Sequence, residues 1–110
     1  MKAPTASEPF KILVTDLIDH DLIHTPTTVF GTHSGKRIEA VLTPDGTFLH
    51  RGRTYSSPSV AAGNAITATL GVSSIGRNYL SINGWKFWHV LDSDGTPRCL
   101  ADLREELLQD

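Results

Sequence analysis

The sequence has few of the residues that cross-link or anchor a small protein. Cys99 is the only cysteine among 110 residues, which excludes a disulfide framework and a thiolate metal cluster. No apolar run approaches the roughly 18 residues that a membrane-spanning helix needs. The first ten residues lack the apolar segment of a signal peptide. These absences favour a cytoplasmic protein, with a flexible tail over residues 1–11 and a single domain over residues 12–110.

Charge is distributed unevenly along a chain whose formal net charge is −2. Residues 36–90 hold six lysines and arginines against two acidic residues, and the segments on both sides are acidic. A basic middle segment can form a local anion-binding surface, and an ordinary mixed surface explains the same composition. Because the whole domain is far from strongly basic, charge alone favours the ordinary mixed surface.

Apolar periodicity and turn signals predict an α+β domain. Thr15 is expected to cap a short first helix that ends before Pro26. Ser57 and Pro58 are expected to begin a second helix that ends at Gly71. The remaining predicted elements are strands over 27–32, 36–42, 47–50, 53–55 and 85–90, and a last helix over 100–108. The predicted order is helix, three or four strands, helix, strand, helix, which corresponds to a small antiparallel sheet of about four strands with three helices.

The segment from Asn83 to Trp88 concentrates the aromatic residues. In a strand, Trp85 and Phe87 would share one face while Lys86 and Trp88 share the other. Trp85 and Phe87 are then expected in the core, and Trp88 fits either the core or a ligand-contacting surface. Asn83-Gly84 is typical of a turn.

The sequence offers little that resembles an active site. His20 and His24 have the spacing of helical metal ligands, but Pro26 follows closely and no further ligand pair is evident, which favours a solvated surface. No spacing ties His89 or Cys99 to a catalytic partner, and no phosphate-binding glycine loop is present. We therefore predict no catalytic residue, no metal and no cofactor.

Residues 51–59 have a different chemistry. They combine Arg51, Arg53, several hydroxyl groups and the N–H groups of a helix start. Such groups bind anions and make most phosphate contacts to DNA, whereas the alternative is a capped helix with two solvated arginines. Together with Lys36, Arg37 and Lys86, which the strands could bring nearby, they form a candidate DNA-facing patch.

The same residues carry a resemblance to a known family. The motifs, in chain order, are Thr15-Asp16-Leu17-Ile18, Leu22-Ile23, Gly31-Thr32, Gly35-Lys36-Arg37, Asp45-Gly46, residues 52–62 and Asn83-Gly84-Trp85-Lys86-Phe87-Trp88. With these motifs the chain resembles the restriction-enzyme-adenine-methylase-associated (RAMA) domain over about residues 12 to 104. Asp21 stands where a glycine usually ends the first helix, and the connection from Gly71 to Ser81 is longer than usual.

The resemblance implies a non-catalytic module of restriction systems that binds double-stranded DNA and, in some members, reads modified bases such as N6-methyladenine. A separate methyltransferase or nuclease is then an expected partner. The residues expected to contact phosphates are Lys36, Arg37, Arg51, Arg53 and Lys86, with Ser57 and Ser59 adding hydroxyl or backbone contacts. Those expected to face the base are Tyr55, Asn83 and Trp88. The alternative hypothesis is a protein–protein adaptor or a self-associating subunit of a restriction-modification system, with the aromatic face at the centre of an interface.

Overall fold

The protein folds around one antiparallel sheet. The computed structural model describes residues 12–71 and 82–109. Within these residues the strands are β1 (Thr27–His33), β2 (Lys36–Leu42), β3 (Phe48–His50), β4 (Arg53–Tyr55), β5 (His89–Leu91) and β6 (Pro97–Cys99). The helices are α1 (Val14–Asp19), α2 (Pro58–Leu70), α3 (Gly84–Phe87) and α4 (Leu100–Leu108). The strands lie in the order β4-β3-β2-β1-β5-β6. The α+β class is confirmed, but the described residues form six strands and four helices, where we expected about four and three.

Most of the disagreement lies between residues 83 and 99. The Asn83 side chain accepts a hydrogen bond from Trp85 N at 3.1 Å, and Trp88 N donates to the Gly84 carbonyl at 3.0 Å. These bonds form one helical turn, α3. The predicted strand over residues 85–90 is therefore wrong for residues 85–88, and the observed strand begins only at His89. A segment of four residues is too short for periodicity to separate helix from strand. The three-residue strand β6 is equally short and was not predicted.

The first helix begins one residue earlier than its predicted cap. Leu13 is the N-cap residue, and its N–H donates to a carboxylate oxygen of Asp16 at 2.8 Å, so Thr15 lies inside the helix and does not cap it. After the helix, Asp21 has a φ of 62°, in the left-handed region that favours glycine. The backbone therefore explains why glycine usually occupies this position in the resembled family.

The strands β1 and β2 pair along their whole length and define two different faces of the sheet. Ile38, Ala40 and Leu42 on β2 are buried, whereas Arg37, Glu39 and Val41 between them are exposed. The buried face packs against the helices; its core is completed by Val29, Phe48, Ala61, Ala62, Ala65, Ile66, Trp88, Val90, Leu100, Leu103 and Leu107. We call the opposite side the open face, since in residues 12–71 and 82–109 its strand residues alternate with the buried ones and are half-buried or exposed.

The second helix follows its predicted boundaries. Ser57 is the N-cap and its hydroxyl accepts a hydrogen bond from Val60 N at 3.3 Å, Pro58 is the first helical residue, and Gly71 ends the helix. Small residues on one side of α2 are buried, as expected for a helix that approaches a sheet closely. The expected tail over residues 1–11 and the long connection after Gly71, residues 72–81, lie outside the described residues.

Candidate nucleic-acid interface

Strand register gathers most of the predicted phosphate contacts at one end of the sheet. Lys36 and Arg37 begin β2 and pair with His33 and Thr32, beside the turn that joins β1 to β2. Because β3 runs antiparallel to β2, the turn that joins β3 to β4 points toward the same end. That turn carries the exposed residues Arg51 and Arg53. We call this end of the sheet, with its four cations, the basic end.

Arg51 of this turn contacts the second helix at its last turn. Arg51 donates a hydrogen bond from Nη1 to the carbonyl oxygen of Ala68 at 2.9 Å. Ala68 lies about 15 Å along α2 from Pro58 at the usual helical rise. The expected patch that joins Arg51 and Arg53 to the start of this helix is therefore not formed, because the β3–β4 hairpin crosses α2 near its C-terminus.

A pocket of about 290 Å³ lies between the hairpin and α2, and we call it the edge pocket. Its described lining is His50, Arg51, Arg53, Tyr55, Asn64, Thr67 and Ala68, which includes no carboxylate. The Asn64 amide nitrogen donates to the Val60 carbonyl at 2.9 Å, which leaves the amide oxygen as an acceptor. Burial, and then the nearby charge of Arg51, lower the pKa of His50 below its usual 6.5. The pocket thus combines cations, one aromatic ring and an amide acceptor.

A second cluster lies on the open face. The guanidinium of Arg37 stands 4.0 Å from the centre of the Phe30 ring, and its Nε also pairs with Glu39 at 2.8 Å. On its other side Phe30 stacks on His89, with ring centres 5.8 Å apart. Next to these rings, a pocket of about 300 Å³ is lined by Phe30, Gly31, Thr32, Lys86, Phe87, His89 and Pro97. Lys86 is exposed and lines the same pocket as the stacked rings of Phe30 and His89. The described lining residues include no carboxylate.

Ser57, Ser59 and Asn83, which were predicted to contact DNA, lie where α2 packs against α3. Ser59 Oγ accepts a hydrogen bond from Gly84 N at 3.0 Å, and Ser57 and Asn83 cap α2 and α3 respectively. A Cβ atom at Gly84 would overlap the backbone of Pro58, so the two chain segments touch directly. The side-chain oxygens of Ser57, Ser59 and Asn83 are therefore already engaged by backbone N–H groups.

Trp88 belongs to the core. Its side chain is fully buried, its ring packs against Phe48 and Phe87, and its indole N–H donates to the Pro58 carbonyl at 3.0 Å. Of the two positions expected from the sequence, the buried one is therefore observed, and the ring has no surface for a base. Trp85 and Phe87 are half-buried against the same core, and the Arg104 guanidinium lies 4.5 Å from the centre of the Trp85 ring.

Acidic turns occupy the other end of the sheet. The β2–β3 turn contains Asp45 and the β5–β6 turn contains Asp92 and Asp94. Hydrogen bonds from the Thr43 side chain and then Thr47 lower the pKa of Asp45 below 3.8. Hydrogen bonding to the Asp92 side chain and then to Thr96 lowers the pKa of Asp94 to about 2. Both carboxylates are thus ionised at neutral pH, and charge is separated along the strand direction.

Residues 2–110 match the family described as Restriction Enzyme Adenine Methylase Associated, RAMA. The chain belongs to this family. The match extends over essentially the whole chain, which confirms the resemblance found in the motifs. The family's description links this RAMA domain to restriction enzymes and adenine methylases. By that name it is a domain that accompanies these enzymes, and the name does not describe a catalytic domain. No curated protein matched the sequence.

The described part of this RAMA domain contains no cluster of three or more histidine, cysteine or acidic side chains that could hold a metal ion. His20 and His24 are both exposed. Among the helices described, none is both long and apolar enough to cross a bilayer.

Sequence reasoning missed several residues of both pockets, namely Phe30, His50, Asn64 and His89. Strand alternation places Phe30 on the face opposite Val29, so its position on the open face could have been predicted from the sequence. Its contact with His89 could not have been predicted, because β5 is distant in the chain and only the strand register brings the two rings together.

Proposed function

We propose that this RAMA domain is a DNA-binding module that holds duplex DNA by its basic end, in a restriction or defence context. The observation that carries the proposal is the separation of charge along the strands, with arginines and lysines at one end and ionised aspartates at the other. A polyanion is attracted to such an end and repelled from the opposite one, even though the net charge is −2.

Phosphate binding by the basic end rests on the side chains that point into solvent there. Arg53 and Lys36 are exposed, and Arg51 has one guanidinium nitrogen on Ala68 and its others available as donors. Lys86 adds a cation beside Thr32, which pairs with Arg37. With Arg37 these are five phosphate contacts, which would make the logarithm of affinity fall with the logarithm of salt concentration with a slope of about −4.5.

Recognition of N6-methyladenine is the finer part of the proposal, and the edge pocket supports it best. Tyr55 offers an aromatic ring, the Asn64 amide oxygen can accept the remaining N6 hydrogen, and Ala68 offers a methyl group to the added one. Burial of one methyl group stabilises the complex by about 0.8 kcal/mol, which is roughly fourfold in affinity. Trp88 and Asn83 have no part in this pocket, because the first is buried and the second caps α3.

The module would act without catalysis of its own, in the cytoplasm, and would direct a separate methyltransferase or nuclease to DNA. The family's association with adenine methylase systems supports this role. The residues described around the edge pocket include no carboxylate, and His50 among them has a lowered pKa, a set that suits anion binding by the arginines and contact with a base.

Removal of single cations from the two ends of the sheet tests duplex binding. Arg53→Ala should weaken binding of a labelled duplex and make the salt slope about 0.9 less steep, because one phosphate contact is lost. Arg98→Ala is the matched control, since Arg98 lies near Asp92 and Glu106 at 4.0 and 3.7 Å, on the acidic side. Equal effects of the two variants in fluorescence anisotropy would refute binding by the basic end.

Duplexes that differ only in one N6-methyl group test base recognition. The methylated duplex should bind several-fold more tightly, and Tyr55→Ala should remove the difference while most of the duplex affinity remains. Equal affinity of both duplexes for the unaltered protein would leave a DNA-binding module without this preference.

The alternative of a protein–protein adaptor or self-associating subunit is favoured by apolar side chains on the open face. Val41 and Leu49 are each 37% exposed, and Leu91 is 58% exposed. An interface built on them would resist salt, whereas phosphate contacts would not. Light scattering at two salt concentrations, with and without duplex, distinguishes the two functions.

A further inference from the structure

The open face has a composition that duplex binding by the basic end does not explain. At its centre, three neighbouring strands supply a guanidinium, a benzyl ring and an imidazole in one continuous stack: Arg37 from β2, Phe30 from β1 and His89 from β5. Of the exposed aliphatic residues of this face, Val41 and Leu49 are register partners on β2 and β3, and Leu91 lies on β5. The stack of Arg37, Phe30 and His89 makes the centre of the face aromatic and cationic.

The stack is fixed in place by contacts on both sides. Phe30 and His89 are register partners, and their rings are inclined by 23°, close to parallel. His89 Nδ1 donates to the Phe87 carbonyl at 2.9 Å, which leaves Nε2 of the neutral ring as an acceptor. Arg37 pairs with Glu39, but both side chains are more than half exposed, so the ion pair is weak in water and leaves the guanidinium accessible.

Both faces of the Phe30 ring are occupied by these neighbours. The surfaces that remain for a ligand are the outer faces of Arg37 and His89, each a flat π-system that Phe30 supports from behind. The adjoining pocket of about 300 Å³ adds the Lys86 ammonium and the Thr32 hydroxyl. A ligand that satisfies this set carries flat rings and negative charge on the same short segment.

We propose that the open face binds unpaired nucleotides of single-stranded DNA, whose bases stack on Arg37 and His89 while Lys86 contacts a phosphate. In a duplex the bases are stacked on one another, so this flat face can reach them only in a single strand. The site shares Arg37 and Lys86 with the proposed duplex binding, whereas Arg51 and Arg53 would serve duplex binding alone.

A labelled oligothymidylate of about eight nucleotides, within the usual range of such sites, is the probe. His89→Ala should lower its affinity at least about fivefold, because one stacking surface is lost. Phe30→Leu should do the same while apolar volume is kept, because the support for both flat groups is removed. Leu49→Ala, on the same face but two strands away from β1, is the control and should bind as the unaltered protein does.

Circular dichroism and thermal unfolding of each variant establish that the fold is retained. The double variant Arg51→Ala, Arg53→Ala separates this proposal from duplex binding. It should lose duplex affinity and keep oligothymidylate affinity. No binding of the oligothymidylate to the unaltered protein, equal affinity of His89→Ala and Leu49→Ala, or loss of oligothymidylate binding in the double variant would each overturn the proposal.

Discussion

Arg51 donates a hydrogen bond of 2.9 Å to the carbonyl oxygen of Ala68, and this contact ties the basic hairpin to the last turn of α2. The C-terminal carbonyls of a helix carry partial negative charge, so a cation is stabilised there. The start of the same helix is instead closed by Ser57, Ser59 and Gly84. The two ends of α2 therefore have different contacts. Its C-terminal turn accepts the hydrogen bond of Arg51 from the basic end, and its N-terminus packs against α3.

Gly84→Ala is expected to destabilise the protein by about 3 kcal/mol, because the added methyl group overlaps the backbone of Pro58 and neither segment can move freely. Urea unfolding measures the loss. Gly52→Ala is the control: its φ of 82° is unfavourable for alanine, but apart from its chain neighbours no atom of residues 12–71 or 82–109 lies within 4 Å of the new Cβ, so the cost should be only about 1–2 kcal/mol. A smaller loss for Gly84→Ala than for Gly52→Ala would contradict the close contact.

Trp88→Phe should lower the free energy of unfolding by about 2–4 kcal/mol, since it removes a buried indole and leaves the Pro58 carbonyl without its donor. Because Trp88 is buried, the folded variant should bind DNA as the unaltered protein does. Trp85→Phe, at a half-buried position, should cost less. A specific loss of DNA affinity in folded Trp88→Phe would return this residue to the binding surface.

Stability should rise with pH between about 5 and 8 in part through His50. Its pKa in the folded protein is lowered by burial and by Arg51, so the unfolded chain binds the proton more tightly. The contribution is complete above the unfolded value near 6.5 and is lost as pH falls through the folded pKa. The difference in unfolding free energy between the protein and His50→Asn should change with this sign; a difference that is constant over the range would contradict it.

Asp94 should contribute to acid stability at lower pH. Its pKa is lowered from 3.8 to about 2, so its contribution is present above 3.8 and is lost as pH falls through about 2. Asp94→Asn should flatten the fall in stability over this window, since Asn cannot lose a charge. Thermal unfolding from pH 5 downward, in parallel for both proteins, measures it; parallel curves would show that the turn does not depend on the carboxylate charge.

Local sequence was sufficient for the parts of the fold that neighbours along the chain decide. Alternation from Lys36 to Leu42 predicted β2 and its buried face, and Ser57, Pro58 and Gly71 predicted both ends of α2. The motifs also predicted the family, because their order along the chain is specific. Lys36, Arg37, Arg51 and Arg53 lie together at the basic end, whereas Trp88, Ser57, Ser59 and Asn83 make structural contacts; that the four cations bind DNA stays a prediction.

The tertiary structure decided what no local pattern encodes. Whether residues 84–87 form a helical turn depends on the cap by Asn83 and on the fit of Gly84 against Pro58, a contact between distant segments. Which end of α2 meets Arg51, and which ring stacks on Phe30, depend on the direction in which a helix crosses the sheet and on strand register. Backbone preference acts over a few residues, whereas these contacts are selected by packing of the whole core.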